Sequence, residues 1–164
     1  MLEEHALDPA VHDRQGFECG VAQLDEYLRR YADQHRRRGI RAAYVLVESS
    51  APELILGYYT LSAAQVDVRE LSLAEQKRLP RYPVPCFRMG RLACRADRRG
   101  QGLGKLLVGC AVDRCIKARA QIGAYTLPVD AKSDEAKSFY LHFGFTACRD
   151  HSMTLYLPLG ARPR

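Results

Sequence analysis

Two stretches of this sequence carry residue types and spacings that could do chemistry. The first runs Arg98-Arg99-Gly100-Gln101-Gly102-Leu103-Gly104 and fits Arg/Gln-x-x-Gly-x-Gly, with Arg99, Gly102 and Gly104 at the fixed positions. It follows an expected strand (Phe87 to Cys94) and opens an expected helix from Leu103 to Arg119, with Leu103, Leu106, Leu107, Cys110 and Ala111 on one apolar face. A helix N-terminus offers unpaired N–H groups at the positive end of its dipole, and glycines let that backbone approach an anion closely. The loop therefore reads as a pyrophosphate cradle or as a plain tight strand-to-helix turn. It lacks the Gly-Lys-Ser/Thr of a P-loop, and no acidic residue follows where a dinucleotide fold would hold a ribose.

The second stretch is basic. Arg29, Arg30, Arg36, Arg37, Arg38 and Arg41 fall within thirteen residues, on and just beyond an expected helix from Val21 to Arg38. They read as a solvated helix end whose cations complement the dipole, or as a contact for nucleic acid or another polyanion. The net charge of +6 is compatible with either reading. Six cysteines show no CxxC pair, so no metal is expected and the thiols are read as reduced and cytosolic. Cys94 and Cys110 take core-like positions. The acidic N-terminus lacks the apolar core of a signal peptide, and no apolar run approaches a membrane span.

The elements that must position these residues follow in order. A strand is expected over Leu2–Asp8, then a turn at Phe17–Gly20, then the arginine-rich helix with Leu24, Leu28, Tyr31, Ala32 and His35 on its buried face. Ala42–Glu48 and Leu54–Leu61 form a hairpin covered on both faces. A short helix over Ser72–Arg78 leads into an irregular loop over Leu79–Pro85. Ala124–Asp130 is a strand containing the awkward Pro128. Ser133 caps a helix with an Ala136, Phe139, Tyr140, Phe143 stripe, ended by Gly144. Phe145–Cys148 and Met153–Leu157 close the fold as an antiparallel pair, and the GARPR tail is expected to be mobile. The 164 residues read as one domain.

This order, with Arg99-x-x-Gly102-x-Gly104 after a strand and Ser138-Phe139-Tyr140-Leu141-His142-Phe143-Gly144-Phe145 across a late helix and strand, resembles the GNAT superfamily of N-acetyltransferases. Phe17-x-Cys19-Gly20, Leu24-Asp25-x-Tyr27-Leu28, Gly57–Ser62, Pro80–Pro85, Arg91-Leu92-Ala93 and Val129-Asp130-Ala131 are similar to the acetyltransferase toxins of bacterial toxin–antitoxin pairs. The resemblance implies an α/β GNAT fold: a mixed, mostly antiparallel sheet splayed between its fourth and fifth strands, with helices on both faces. It implies acetyl-CoA as co-substrate, held by Leu92, Ala93, Cys94, Arg99, Gly100, Gln101, Gly102, Leu103, Gly104 and Lys105. It implies transfer to the α-amino group of aminoacyl-tRNA, contacted by the arginines above. The implied partners are a small ribbon–helix–helix antitoxin encoded next to it, operator DNA through that antitoxin, and a second copy of the chain.

Periodicity alone reads Tyr140 as a core tyrosine; the resemblance makes it the general acid. A phenol with an ordinary pKa of about 10 keeps its proton at neutral pH and can donate it to a departing thiolate. An α-amine, near about 7.7–8.0, is partly neutral already and needs no strong base, which suits a chain with no evident acidic base. His142 and Glu135 are weak candidates for a base and by default read as surface or capping residues; Phe139 and Cys94 read as packing. Two other functions stand beside this one: acetyl transfer to a small-molecule amine or protein N-terminus, and a non-enzymatic binding module acting with an antitoxin.

Overall fold

The computed structural model describes residues 1–160; Ala161–Arg164, most of the tail expected to be mobile, lie outside the described residues. Its elements run β1 (Leu2–Ala6), α1 (Ala22–Glu26), a π-helical turn (Tyr27–Tyr31), α2 (Ala32–Arg37), β2 (Ala42–Glu48), β3 (Gly57–Val66), α3 (Leu73–Gln76), β4 (Val84–Cys94), α4 (Leu103–Ala118), β5 (Thr126–Asp130), α5 (Asp134–Phe143), β6 (Thr146–Ala147) and β7 (Thr154–Pro158). The strands form one seven-stranded mixed sheet in the order β1-β2-β3-β4-β5-β7-β6. Its β4–β5 pair is parallel, while the β1–β2, β2–β3, β5–β7 and β6–β7 pairs are antiparallel. This is the α/β class expected. No helix among the described residues is long and apolar enough to cross a membrane.

Two compact units make up the chain, one of Met1–Ser62 with Gly90–Ala111, the other of Ala63–Met89 with Val112 onward. The core of the first joins Phe17, Leu28, Val45, Val47, Ile55, Tyr58 and Ala93. A Cβ on Gly57 would lie 2.6 Å from Leu107 Cδ1 and 2.9 Å from the Ala93 carbonyl oxygen. Only glycine lets β3 pass so close to the end of β4 and the first turns of α4. The core of the second joins Leu71, Val84, Cys148 and Tyr156, with Val66, Leu79 and Tyr125 packed on it.

Several expectations shift. β2 has the expected bounds, but β3 starts at Gly57 rather than Leu54, because Ala51–Leu54 turn back on themselves and Leu56 N–H reaches Leu46 O from outside the strand. It then runs on to Val66, losing full burial after Leu61. The proline-rich segment is not wholly irregular. β4 already begins at Val84, and Pro85, which has no N–H, takes part through its carbonyl, accepting from Tyr125 N–H at 2.8 Å. The β4–β5 register holds at Cys86↔Thr126 and Met89↔Val129, while Pro128 stands opposite Tyr156 of β7. Along α4 the buried residues are Leu103, Leu107, Val108, Ala111, Val112 and Cys115; Leu106, expected on that face, is exposed.

Candidate active site

In the first unit β4 ends at Leu92, Ala93 and Cys94, with Ala93 buried and its neighbours half-buried. The next two N–H groups anchor the turn: Arg95 donates to Leu56 O and Ala96 to Glu18 O, each at 2.8 Å. A 3-10 turn (Ala96–Arg98) follows, then Gly100 and Gly102 at φ +82° and +74°, a region that side-chain-bearing residues rarely adopt. The first N–H of α4 to bond back along the chain is that of Leu106, to Gly102 O at 3.1 Å. The N–H groups of Leu103, Gly104 and Lys105 precede it and have no acceptor within the helix. Leu103 is buried and anchors the turn, while Gly100, Gln101, Gly102 and Lys105 are exposed. The loop thus presents backbone donors at a sixteen-residue helix's positive end, the arrangement an anion needs.

Arg99, the motif's first residue, does something else with its side chain. Its Nη2 donates to Cys19 O at 3.0 Å, and a Cβ on Gly20 would lie 2.6 Å from that nitrogen. The guanidinium braces the glycine loop against the Phe17–Gly20 segment. That is why Gly20 follows Cys19. Burial pushes the Cys94 thiol up to about 11, so it stays protonated at neutral pH. The described cysteines form no disulfide.

In the second unit α5 has the expected limits. Ser133 Oγ accepts from Ala136 N–H at 3.1 Å, Asp134 and Glu135 occupy the first turn, and Gly144 closes the helix at φ +115°. Of the predicted stripe only Tyr140 is fully buried. Its ring sits 5.3 Å from Phe139, edge-on, and 5.3 Å from Phe145, while Phe145 N–H donates to Tyr140 O at 3.0 Å. Two aromatic walls therefore fix the phenol's direction. Glu135 and His142 are exposed, and His142 Nδ1 lies 3.3 Å from Ser138 O.

The six arginines separate into kinds. Arg29 is a strap: Nη2 donates to Phe17 O at 3.1 Å, and Asp25 lies 3.9 Å away. Arg30 pairs with Glu26 at 3.5 Å; Arg36 and Arg37 share Asp33 at 2.6 and 3.0 Å. The hydrogen bond from Arg36 holds the Asp33 carboxyl below its ordinary value. Among the described residues Arg38 and Arg41 form no ion pair. Arg14, which the sequence did not single out, joins Arg30, Asp33, Gln34, Arg37 and Arg38 around a recess of about 360 Å³. Arg91, named in the sequence only within the Arg91-Leu92-Ala93 motif, was given no site role there. Its guanidinium lies 3.6 Å from the centre of the Tyr27 ring.

Tyr31 corrects the helix reading. The π-helical turn, closed by Ala32 N–H to Tyr27 O, inserts an extra residue into the 3.6 repeat. Tyr27 and Leu28 turn inward together, and Tyr31, expected inside, is 43% exposed. Among the described residues no group of three His, Cys, Asp or Glu side chains is arranged to hold a metal.

Residues 41–147 match the family model of the acetyltransferase (GNAT) domain, and the chain belongs to the GNAT acetyltransferases. Within that family it is similar to tRNA-acetylating toxins. It is 32% identical over 133 residues to the tRNA-acetylating toxin of Mycobacterium tuberculosis, covering 81% of this chain and 78% of that one. The structure of a Tyr→Phe mutant of KacT superposes with a TM-score of 0.90 at 32% identity, over 96% of this chain and 95% of that one. That of AtaT complexed with acetyl-methionyl-tRNAfMet gives 0.90 at 30%, over 96% and 95%. The same toxins recur among the similar structures as AtaTR bound with acetyl-CoA, as AtaT bound to the C-terminus of the antitoxin AtaR, and as a KacTA–DNA complex.

Proposed function

We propose that this chain is the toxin of a toxin–antitoxin pair, transferring acetyl from acetyl-CoA to the α-amino group of aminoacyl-tRNA and so blocking translation. The observation that carries the reading is the likeness across 96% of the chain to AtaT complexed with acetyl-methionyl-tRNAfMet. The chain's own loop fits the co-substrate, because glycines at positive φ and N–H groups without helical acceptors suit a pyrophosphate.

The residue roles follow. The N–H groups from Gly100 to Lys105 hold the pyrophosphate, with Lys105 adding charge. Arg99 serves through its backbone while its side chain braces the loop. Backbone groups of Leu92, Ala93 and Cys94 orient the pantetheine arm. Acetyl-CoA supplies an activated thioester: the neutral α-amine forms the new C–N bond, and the C–S bond breaks with its electron pair on sulfur. The Tyr140 hydroxyl gives that thiolate a proton, and the amine's surplus proton passes to water. No covalent enzyme intermediate is needed, in keeping with a protonated Cys94 thiol. Study of KacT and AtaT as Tyr→Phe mutants accords with a tyrosine in this role.

The reading extends to one functional domain over residues 1–164, working in the bacterial cytoplasm as a homodimer. Its antitoxin is of the ribbon–helix–helix type, and operator DNA is reached through it; that a toxin of this kind meets an antitoxin and DNA is supported by the complexes of AtaT and KacT. The deciding experiment incubates labelled acetyl-CoA with charged tRNA, using wild type and Tyr140→Phe. Label should remain on the amino acid after ester hydrolysis, and the variant should be slower by about 10²–10⁴-fold, the range of a lost general acid. No label on charged tRNA with acetyl-CoA binding intact would sink the reading and point to small amines or protein N-termini.

A further inference from the structure

Tyr27, Tyr31 and His35 form a cluster of three mutually packed rings on one side of the arginine-rich helix, with Tyr27 and His35 5.4 Å apart. Tyr27 and Tyr31 lie 6.4 Å apart at 29°, Tyr31 and His35 6.2 Å apart at 33°, and the Tyr27 hydroxyl meets His35 Nδ1 at 3.0 Å. The inner end is capped by Arg91, 3.6 Å from the Tyr27 ring centre. The outer end is Tyr31, 43% exposed. Three cations gather here: Arg38, Arg41 and Arg91 all act on His35, whose pKa is lowered first by burial and then by these charges. None of the three has an acidic partner among the described residues, whereas Arg30, Arg36 and Arg37 on the same helix all do.

The Tyr27 ring offsets part of the charge of Arg91, but no carboxylate neutralises the positive charge that Arg38, Arg41 and Arg91 concentrate beside the exposed Tyr31 ring. Single-stranded nucleic acid supplies both missing partners: a base face for the ring and phosphates for the cations. Duplex would satisfy only the arginines.

We propose that Tyr31 is a stacking platform for an unpaired base at the 3′ end of tRNA, with Arg38, Arg41 and Arg91 holding the adjoining phosphates. The inference deepens the substrate reading above and rests on it. The π-helical turn is the device that makes the platform, since in an unbroken α-helix the register would turn Tyr31 inward.

The test is a binding cycle with uncharged tRNA, intact or trimmed of its unpaired 3′ nucleotides, against wild type, Tyr31→Ala and Tyr31→Phe. Trimming should weaken wild type and Tyr31→Phe by roughly tenfold more than it weakens Tyr31→Ala, the size of one stacked base, since the variant loses only the phosphates that the arginines hold. Equal loss on trimming in all three proteins, or loss in none, overturns the proposal. A folding defect would show instead as weaker acetyl-CoA binding and a lower melting temperature. Because the cycle needs no acetyl transfer, it stands apart from the substrate reading. Wild type that modifies charged tRNA but shows a flat cycle fails only the platform; wild type that modifies no charged tRNA fails the substrate reading.

Discussion

Two tyrosine-rich polar clusters in this chain are built from similar parts to opposite ends. Around Glu75 every donor has met an acceptor. The Tyr125 hydroxyl donates at 2.7 Å to one carboxylate oxygen; the hydroxyls of Tyr156 and Ser72 donate to the other at 2.6 and 2.9 Å. Ser72 N–H then donates to the Tyr156 oxygen at 3.0 Å, and Glu75 itself is buried. Around Tyr27 the balance is left open, with cations lacking acidic partners and one ring facing solvent. A buried polar network that is closed specifies and stabilises the fold, since each group would be costly to leave unpaired. One left open at the surface keeps its electrostatic potential for a ligand. Substitutions in the first should therefore change stability, and those in the second binding.

The largest expected effect on stability comes from breaking the closed cluster. Glu75→Gln puts an amide N–H₂ where hydroxyls now donate, at a cost of about 1–3 kcal/mol. For a chain of this size that lowers the melting temperature by roughly 5 °C, read by thermal unfolding. The KM for charged tRNA should not move. The cluster also defines a pH window. Burial alone would raise the Glu75 carboxyl, but its donors Tyr156, Tyr125 and Ser72 together hold it below its ordinary value. Its contribution is complete above the unfolded pKa of about 4.3 and is lost as pH falls through the lower folded one. Burial, then the bond to Glu75, pushes Tyr125 and Tyr156 up to about 12. Their contribution is complete below the unfolded value of about 10 and is lost as pH climbs towards about 12. Denaturant midpoints measured across pH should fall at both limits in wild type. In Glu75→Gln the acid limb should flatten.

Next in size is the contrast inside the basic helix. Arg38→Gln and Arg41→Gln should weaken tRNA binding several-fold at moderate salt. Each should make the salt slope shallower by about 0.7–0.9, with stability changed by less than about 0.5 kcal/mol. Arg29→Gln should do the reverse. It orphans the Phe17 carbonyl and leaves buried Asp25 without its nearby cation, so the melting temperature falls while the slope stays. If all three variants changed the slope alike, the division between structural and ligand-facing arginines would be wrong.

What the sequence made legible follows the range of the forces involved. α5 was readable end to end because Ser133 and Gly144 act on their immediate neighbours. The loop from Arg98 to Gly104 was readable because its glycines answer a local backbone demand. The short helix after Ser72 was readable, but its Ser72-x-x-Glu75 capping box, though a local pattern, was not read. What made Glu75 a network was invisible, since its other partners come from 50 and 81 residues away. The brace made by the Arg99 side chain was invisible for the same reason: its acceptor, Cys19 O, lies 80 residues back. Tyr31 was misplaced because periodicity assumes an even 3.6 repeat, and the π-helical turn interrupts it.

The smallest expected effect falls on Cys94, which belongs to neither cluster and sharpens what counts as a reactive group. It lies beside the expected thioester site, where a nucleophilic cysteine would imply a covalent acetyl-enzyme. Reactive thiols sit where positive charge lowers their pKa. Cys94 is instead pushed up to about 11 by burial, so the thiolate is a minor species at neutral pH. Direct transfer predicts that Cys94→Ala keeps kcat within about twofold, since only a half-buried packing contact is lost. It also predicts that mass spectrometry of the enzyme mixed with acetyl-CoA alone finds no acetyl on this residue. Initial rates with both substrates varied should then intersect, as a ternary complex requires. Parallel lines, with a Cys94→Ala variant that is inactive but folded, would replace direct transfer with a two-step mechanism through this thiol.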